Sequence, residues 1–188
     1  MTLTTRSLLL LICFFTLCGC GSDTNNARVR PPTWAQPVIG TQLENLHCVT
    51  PYIYRSSQPS AKDLKQTHEQ LGIRSVLSLR EYHRSDDEAA GLPLQVYRIK
   101  MNAGHVDAVA VKQALNIIKT APKPILIHCW HGADRTGLVI AAWRIAEQKW
   151  SVDDAIDELK NGDYGYHESV FPGIIEWLRS DGVSRISQ

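Results

Sequence analysis

The sequence predicts an α/β domain: a central, mostly parallel sheet of about four to five strands, flanked by helices on both faces. Short β-prone runs alternate with longer amphipathic ones from residue 45 onward, as in sheets covered by helices. The chain has 188 residues, 44% of them apolar, enough to bury one core. No internal repeat and no second domain interrupts the pattern.

Each element has its own signal. Tyr52-Ile53-Tyr54 reads as a short strand, and Ser57 to Ser60, with Pro59, as a turn. Ser60 is placed to cap a helix running through Leu64 and His68 to Leu71, with Gly72 as its stop. Arg74 to Leu79 and Val96 to Met101 alternate like buried strands. Val111, Leu115 and Ile118 give Val109 to Ile118 a helical spacing. Pro124-Ile125-Leu126-Ile127 is a continuous apolar run of the central-strand kind. Leu138 to Trp150 is apolar around much of its circumference and reads as a buried helix. Ser151-Val152-Asp153-Asp154 is a capping box, and a last helix spans about Pro172 to Arg179.

Twenty Lys and Arg against nineteen Asp and Glu give a net charge of +1, with no electrostatic footprint for nucleic acid. Of five cysteines, Cys13, Cys18 and Cys20 crowd into the first twenty residues, so Cys48 and Cys129 alone remain for the body. That is no disulfide framework. Residues 1–19 hold one charge, Arg6, and the apolar run Leu8 to Leu17. The run is too short to cross a bilayer of ~30 Å but suits a signal peptide. Leu17-Cys18-Gly19-Cys20 resembles a bacterial lipobox, with Cys20 as the acylated first residue of the mature chain. That resemblance implies a lipid anchor in the cell envelope, and Gly21 an outer-membrane or periplasm-facing location if the host has two membranes. Residues 20–44, rich in Asn, Thr, Pro and Gln, read as a flexible tether, and 45–188 as the folded domain.

The informative segment is Ile127-His128-Cys129-Trp130-His131-Gly132-Ala133-Asp134-Arg135-Thr136-Gly137. A strand delivers Cys129, and a helix starts near Arg135. Backbone N–H groups turned inward at a helix start bind a tetrahedral oxyanion, and the same positive end favours a thiolate. Arg135 offers two parallel donors to phosphoryl oxygens. The Thr136 hydroxyl can bond the thiolate, and Gly132 lets the backbone approach an anion. Zinc ligation by His128, Cys129 and His131 lacks a second ligand pair, so no metal and no cofactor is expected.

His-Cys-x5-Arg-Thr-Gly resembles the phosphate loop of the protein tyrosine phosphatase superfamily, in its atypical dual-specificity branch. The resemblance extends to Tyr54-Arg55-Ser56-Ser57-Gln58-Pro59-Ser60, to Leu71 through Arg80 and to Trp150-Ser151, covering about residues 46–180. It implies a cysteine-phosphatase fold. It also implies a Cys129 nucleophile, a cysteinyl-phosphate intermediate, and phosphate held by Arg135 and the amides of Trp130, His131, Gly132, Ala133 and Asp134. Thr136 assists the thiolate. The leaving group's acid stays open between Asp107, Asp134 and His105, and Asp107 also reads as a helix cap. Trp130 and His131 are placed at the loop mouth. A phosphorylated protein, an inositol phosphate or phosphoinositide, or a small phosphoester all suit such a site. The alternative is an exported phosphate-binding module without turnover; the intact Cys129, Arg135 and Thr136 favour the enzyme. Cys48 reads as a strand core residue or, alternatively, as a redox partner of Cys129. His47, His68, His83 and His167 read as surface or half-buried residues.

Overall fold

The computed structural model describes residues 29–180 and 182–186. The signal segment, Cys20 and residues 21–28 lie outside the described residues. Six strands form one mixed sheet: β1 (Gln36–Pro37), β2 (His47–Thr50), β3 (Ile53–Ser56), β4 (Ser75–Ser78), β5 (Gln95–Arg98) and β6 (Ile125–His128), in the order β1-β2-β3-β6-β4-β5. The inner run β3-β6-β4-β5 is parallel, and β1 and β2 add antiparallel strands at one edge. The sequence predicts four to five strands. The additional one is β1, two residues long and ending in Pro37, too short to leave a periodic trace.

The helices are α1 (Ala61–Leu71), α2 (Ala108–Thr120), α3 (Asp134–Gln148), α4 (Val152–Asn161), α5 (Gly173–Arg179) and α6 (Gly182–Ile186). Their starts follow from their caps. Ser60 and Asp63 form a reciprocal capping box on α1, and Gly72 ends that helix at φ 67°. The Ser151 hydroxyl accepts from the Asp154 N–H at the start of α4. The strand period of two splits the core between the two faces. Ile125 and Ile127 pack with Leu77, Leu115, Ile118 and Leu138 on one face. Leu126 and Val76 pack with Leu64, Ile73, Leu43 and Leu46 on the other.

The tether expected over residues 20–44 is corrected from Arg30 onward. Trp34, Ala35 and Leu43 are 6%, 0% and 6% exposed. The buried pair Arg144–Glu158 explains why. Its carboxylate accepts the Ala35 N–H at 2.7 Å, and Arg30 reaches the Tyr164 hydroxyl at 3.2 Å. A polar composition conceals a segment whose backbone completes a buried polar network. The domain boundary therefore lies upstream of residue 45.

Cys48 is half-buried, not core, and its thiol donates to the Thr50 carbonyl. The redox pairing with Cys129 also fails. Cys48 lies level with Tyr54 of β3, itself level with Leu126 of β6, so two strand spacings of ~4.8 Å separate Cys48 from β6. Two Cα atoms ~10 Å apart exceed the reach of a disulfide, and Cys129 lies three residues further along.

Candidate active site

Strand β6, buried along its whole length, leads directly into Cys129, which is 1% exposed. The segment Cys129 to Ala133 then turns into α3. Its shape is set by where its carbonyls go. The Cys129 carbonyl meets His128 Nδ1 at 3.2 Å, and the Trp130 carbonyl accepts the Gln58 N–H at 2.9 Å. Asn45 Nδ2 donates to the His131 carbonyl at 2.8 Å, and Arg55 Nη2 to the Gly132 carbonyl at 2.6 Å. In a trans peptide the N–H of the next residue points opposite to the carbonyl. Four carbonyls tied outward therefore aim the amides of residues 130–133 into the loop.

Two of these supports are not evident from the loop sequence. Arg55 is 1% exposed, and its guanidinium lies 3.6 Å from the centroid of the Tyr164 ring while it holds Gly132. Gly132 sits at φ +72°, and a Cβ there would lie 2.5 Å from the Ser56 carbonyl carbon and oxygen. Only glycine fits that approach. His128 is fully buried, its pKa pushed down to about 4 by burial. It is a neutral ring: Nδ1–H faces the Cys129 carbonyl, and Nε2 accepts from the Ser85 hydroxyl at 3.0 Å.

Above the loop lies a cavity of about 600 Å³. Arg135 and Asp134 line it, as do Trp130 and His131, which are exposed at its mouth. Arg135 Nε and Thr136 Oγ1 are buried and have no hydrogen-bond partner among the described residues. Buried polar groups are usually satisfied, so these two await a ligand or the nucleophile. Arg80 adds a second cation that the sequence reading missed. It stacks over the Trp130 ring at 4.1 Å, and its pKa is lowered by partial burial and then by Arg135.

Asp107 and His105 do not line this cavity. The Asp107 carboxylate accepts the Val109 N–H at 2.8 Å as the N-cap of α2 and is exposed, as the cap reading expects. His105 is exposed in the loop before α2. Asp134, 7% exposed, faces the cavity. One of its oxygens accepts the His167 N–H at 2.9 Å, and His167 Nδ1 lies 3.0 and 3.1 Å from the two oxygens. The sequence alone places His167 at the surface or half-buried and gives it no role in the site. It is exposed, yet it lines the cavity and is paired with Asp134. Two Gly residues, Gly162 and Gly165, and Tyr164, packed under Arg55, shape the segment that delivers it.

Comparison with known proteins gives a consistent picture. Residues 42–169 match the model of the tyrosine phosphatase family. Dual specificity protein phosphatase TpbA of Pseudomonas aeruginosa is 33% identical over 161 residues, spanning 83% of this chain and 71% of that protein. A crystal structure of TpbA with a cysteine-to-serine substitution, in complex with pTyr, superposes with a TM-score of 0.75 at 28% identity. It covers 85% of this chain and 96% of that one. Inositol diphosphatase SIW14 of Saccharomyces cerevisiae is 30% identical over 77% of this chain, which spans 54% of SIW14.

Proposed function

We propose, for a chain that belongs to the tyrosine phosphatase family, that the phosphate monoester it hydrolyses is carried on an aromatic ring, as in phosphotyrosine. The enzyme is a cysteine-dependent phosphatase, a phosphoric monoester hydrolase. The observation that carries the substrate reading is the cavity wall. Tyr82, Met101, Trp130, Val170 and Phe171 surround a phosphate loop at the base. Among its charged side chains, Arg80 and Arg135 stand against Glu81 and Asp134. A wall of that balance suits one phosphoryl group on an aryl body. A densely phosphorylated inositol needs many more cations. The second reading, an inositol phosphate, is supported by Asp134 directly before Arg135 and by the likeness to SIW14.

The chemistry follows from the loop. The Cys129 thiolate attacks phosphorus in line, an S–P bond forms, and the P–O bond to the leaving group breaks with its electron pair going to oxygen. Amides 130–133 and the Arg135 fork hold the charge on the other phosphoryl oxygens. Thr136 Oγ1, without another partner among the described residues, is available to the sulfur when it leaves again.

The leaving oxygen needs a proton. Asp134 accepts from two His167 donors, so the carboxylate orients the ring and a protonated His167 delivers the proton from Nε2. Water then attacks phosphorus, returns a proton to that nitrogen and frees Cys129. The lipobox-like Leu17-Cys18-Gly19-Cys20 supports an envelope location with the lipid on Cys20. In that case Cys20→Ala leaves the membrane fraction, and an unchanged partition excludes the anchor.

The decisive measurement compares kcat/KM for a phosphotyrosine peptide and for an inositol polyphosphate, in wild type and in Cys129→Ser. A preference of tenfold or more for the peptide, lost in the serine variant, supports the proposal. A preference for the inositol substrate transfers the function to the second reading. Ligand binding with no turnover of either, nor of an aryl phosphate, would favour a binding module.

A further inference from the structure

Three metal-ligating side chains meet at the mouth of the cavity from separate segments: His131 after β6, Asp134 at the start of α3, and His167 between α4 and α5. One ring nitrogen of each histidine and one carboxylate oxygen all lie within 4.8 Å of one another. We propose that this triad is a binding site for a divalent ion of the zinc class, and that the bound ion inhibits the phosphatase. The inhibitory part rests on the reading of His167 as proton donor; the binding part does not.

The donor set selects the metal. Two imidazoles and one carboxylate suit zinc, whereas magnesium and calcium prefer all-oxygen sites. Bonds of ~2.0–2.1 Å around a tetrahedral ion place ligand atoms ~3.4 Å apart. The present spread, within 4.8 Å, is wider than that, and the two exposed imidazoles are the side chains that would turn to close it.

The backbones beneath them are already held. Asn45 fixes the His131 carbonyl at 2.8 Å, and the His167 N–H is fixed on Asp134 at 2.9 Å. Each ring also has an aromatic neighbour. Trp130 lies edge-on to His131, and Phe171 edge-on to His167. Three protein ligands leave a coordination position for water or a phosphate oxygen.

Inhibition follows from which lone pairs the ion takes. A metal held by both Asp134 and His167 displaces the contact between the carboxylate and His167 Nδ1, and with it the orientation of the ring that the proposed proton transfer uses. The ion is therefore an inhibitor and not a cofactor, because the amide nest and Arg135 already stabilise the phosphoryl charge. The cluster His128, Cys129 and His131 considered from sequence is a different one. His128 is buried and hydrogen-bonded away from the cavity, to Ser85 and the Cys129 carbonyl.

The test is direct binding to the full-length chain: competition of Zn²⁺ against a chromophoric chelator, with Mg²⁺ as a control, followed by inhibition of aryl phosphate turnover relative to each variant's own rate. The expected result is one Zn²⁺ per chain. Cys129→Ser keeps it, and His131→Ala and His167→Ala each weaken it by about tenfold or more. Thermal melts verify that the variants are folded. Unchanged affinity in both histidine variants overturns the site, as does loss of binding in Cys129→Ser, which moves the ion to the thiol. Tight binding with undiminished turnover overturns the inhibitory role alone. If no phosphoester is hydrolysed, the binding measurement still decides the site.

Discussion

At the floor of the cavity, Cys129 is 1% exposed and four successive loop carbonyls are tied to His128, Gln58, Asn45 and Arg55. At the rim, Trp130, His131, His167 and Tyr82 are exposed and come from three separate segments. The floor is over-determined: each peptide has an outside partner, so the position of the nucleophile does not depend on what binds. The rim is held by few bonds per side chain. Preorganisation is thus concentrated where charge develops, and adaptability where substrates differ.

That contrast can be broken by mutation. At the rim, Asp134→Asn and His167→Asn are expected to slow alkyl phosphate hydrolysis by ~10²–10⁴-fold while leaving p-nitrophenyl phosphate much less affected, because nitrophenolate leaves without a proton. Asp107→Asn should change neither substrate, since asparagine caps a helix as well as aspartate does. Steady-state rates on both substrates check this; a selective loss in Asp107→Asn would return the acid to that residue.

At the floor, Gly132→Ala has no such selectivity. The added Cβ meets the Ser56 backbone at 2.5 Å in a left-handed conformation. The expected outcome is a loss of about 10²-fold on every substrate, the scale of a misplaced reacting group. It should also destabilise the fold by ~1–3 kcal/mol, measurable by urea unfolding. A substrate-dependent loss would mean that floor and rim are not separable.

The smallest effect concerns pH. His128 and His47 both have pKa values pushed down to about 4, by burial first. Both therefore fold neutral, and the unfolded chain, with histidines titrating at about 6.5, binds protons first as pH falls. Their contribution is complete above about pH 6.5 and erodes toward pH 4, for the fully buried His128 by ~1.4 kcal/mol per pH unit. Urea midpoints at about pH 7 and about pH 4.5 should fall apart in wild type and less so in His128→Asn. An equal fall in both would exclude His128 as a source.

The loop at the floor was legible in the sequence, as was the place of Trp130 and His131 at the mouth, whereas the parts of Arg55 and His167 were not. Ser60, Gly72 and Ser151 announce their helices because capping is a local bond, three or four residues long. The strand, loop and helix around Cys129 are contiguous, so their chemistry can be read in one segment. Arg55 and His167 act across 77 and 33 residues, on Gly132 and Asp134, and no periodic pattern encodes a partner at that separation. Asp107 shows the converse limit. The same residue type suits a helix cap and a general acid, and only its position outside the cavity separates them. Ala35 is misplaced in the tether for a related reason: its contribution is a backbone N–H, which carries no side-chain signature.

The docked segment that begins at Arg30 also sets a leash. With the lipid on Cys20 as proposed, ten peptide steps separate the bilayer surface from the point where Arg30 grips Tyr164. At ~3.3–3.6 Å per residue that chain reaches ~35 Å at full stretch. A tether ending at residue 44 would allow more than twice that distance. On that proposal the catalytic domain would work in a thin layer above the membrane, where phosphoesters carried by surface-bound neighbours would be met far more often than those dissolved in the compartment beyond.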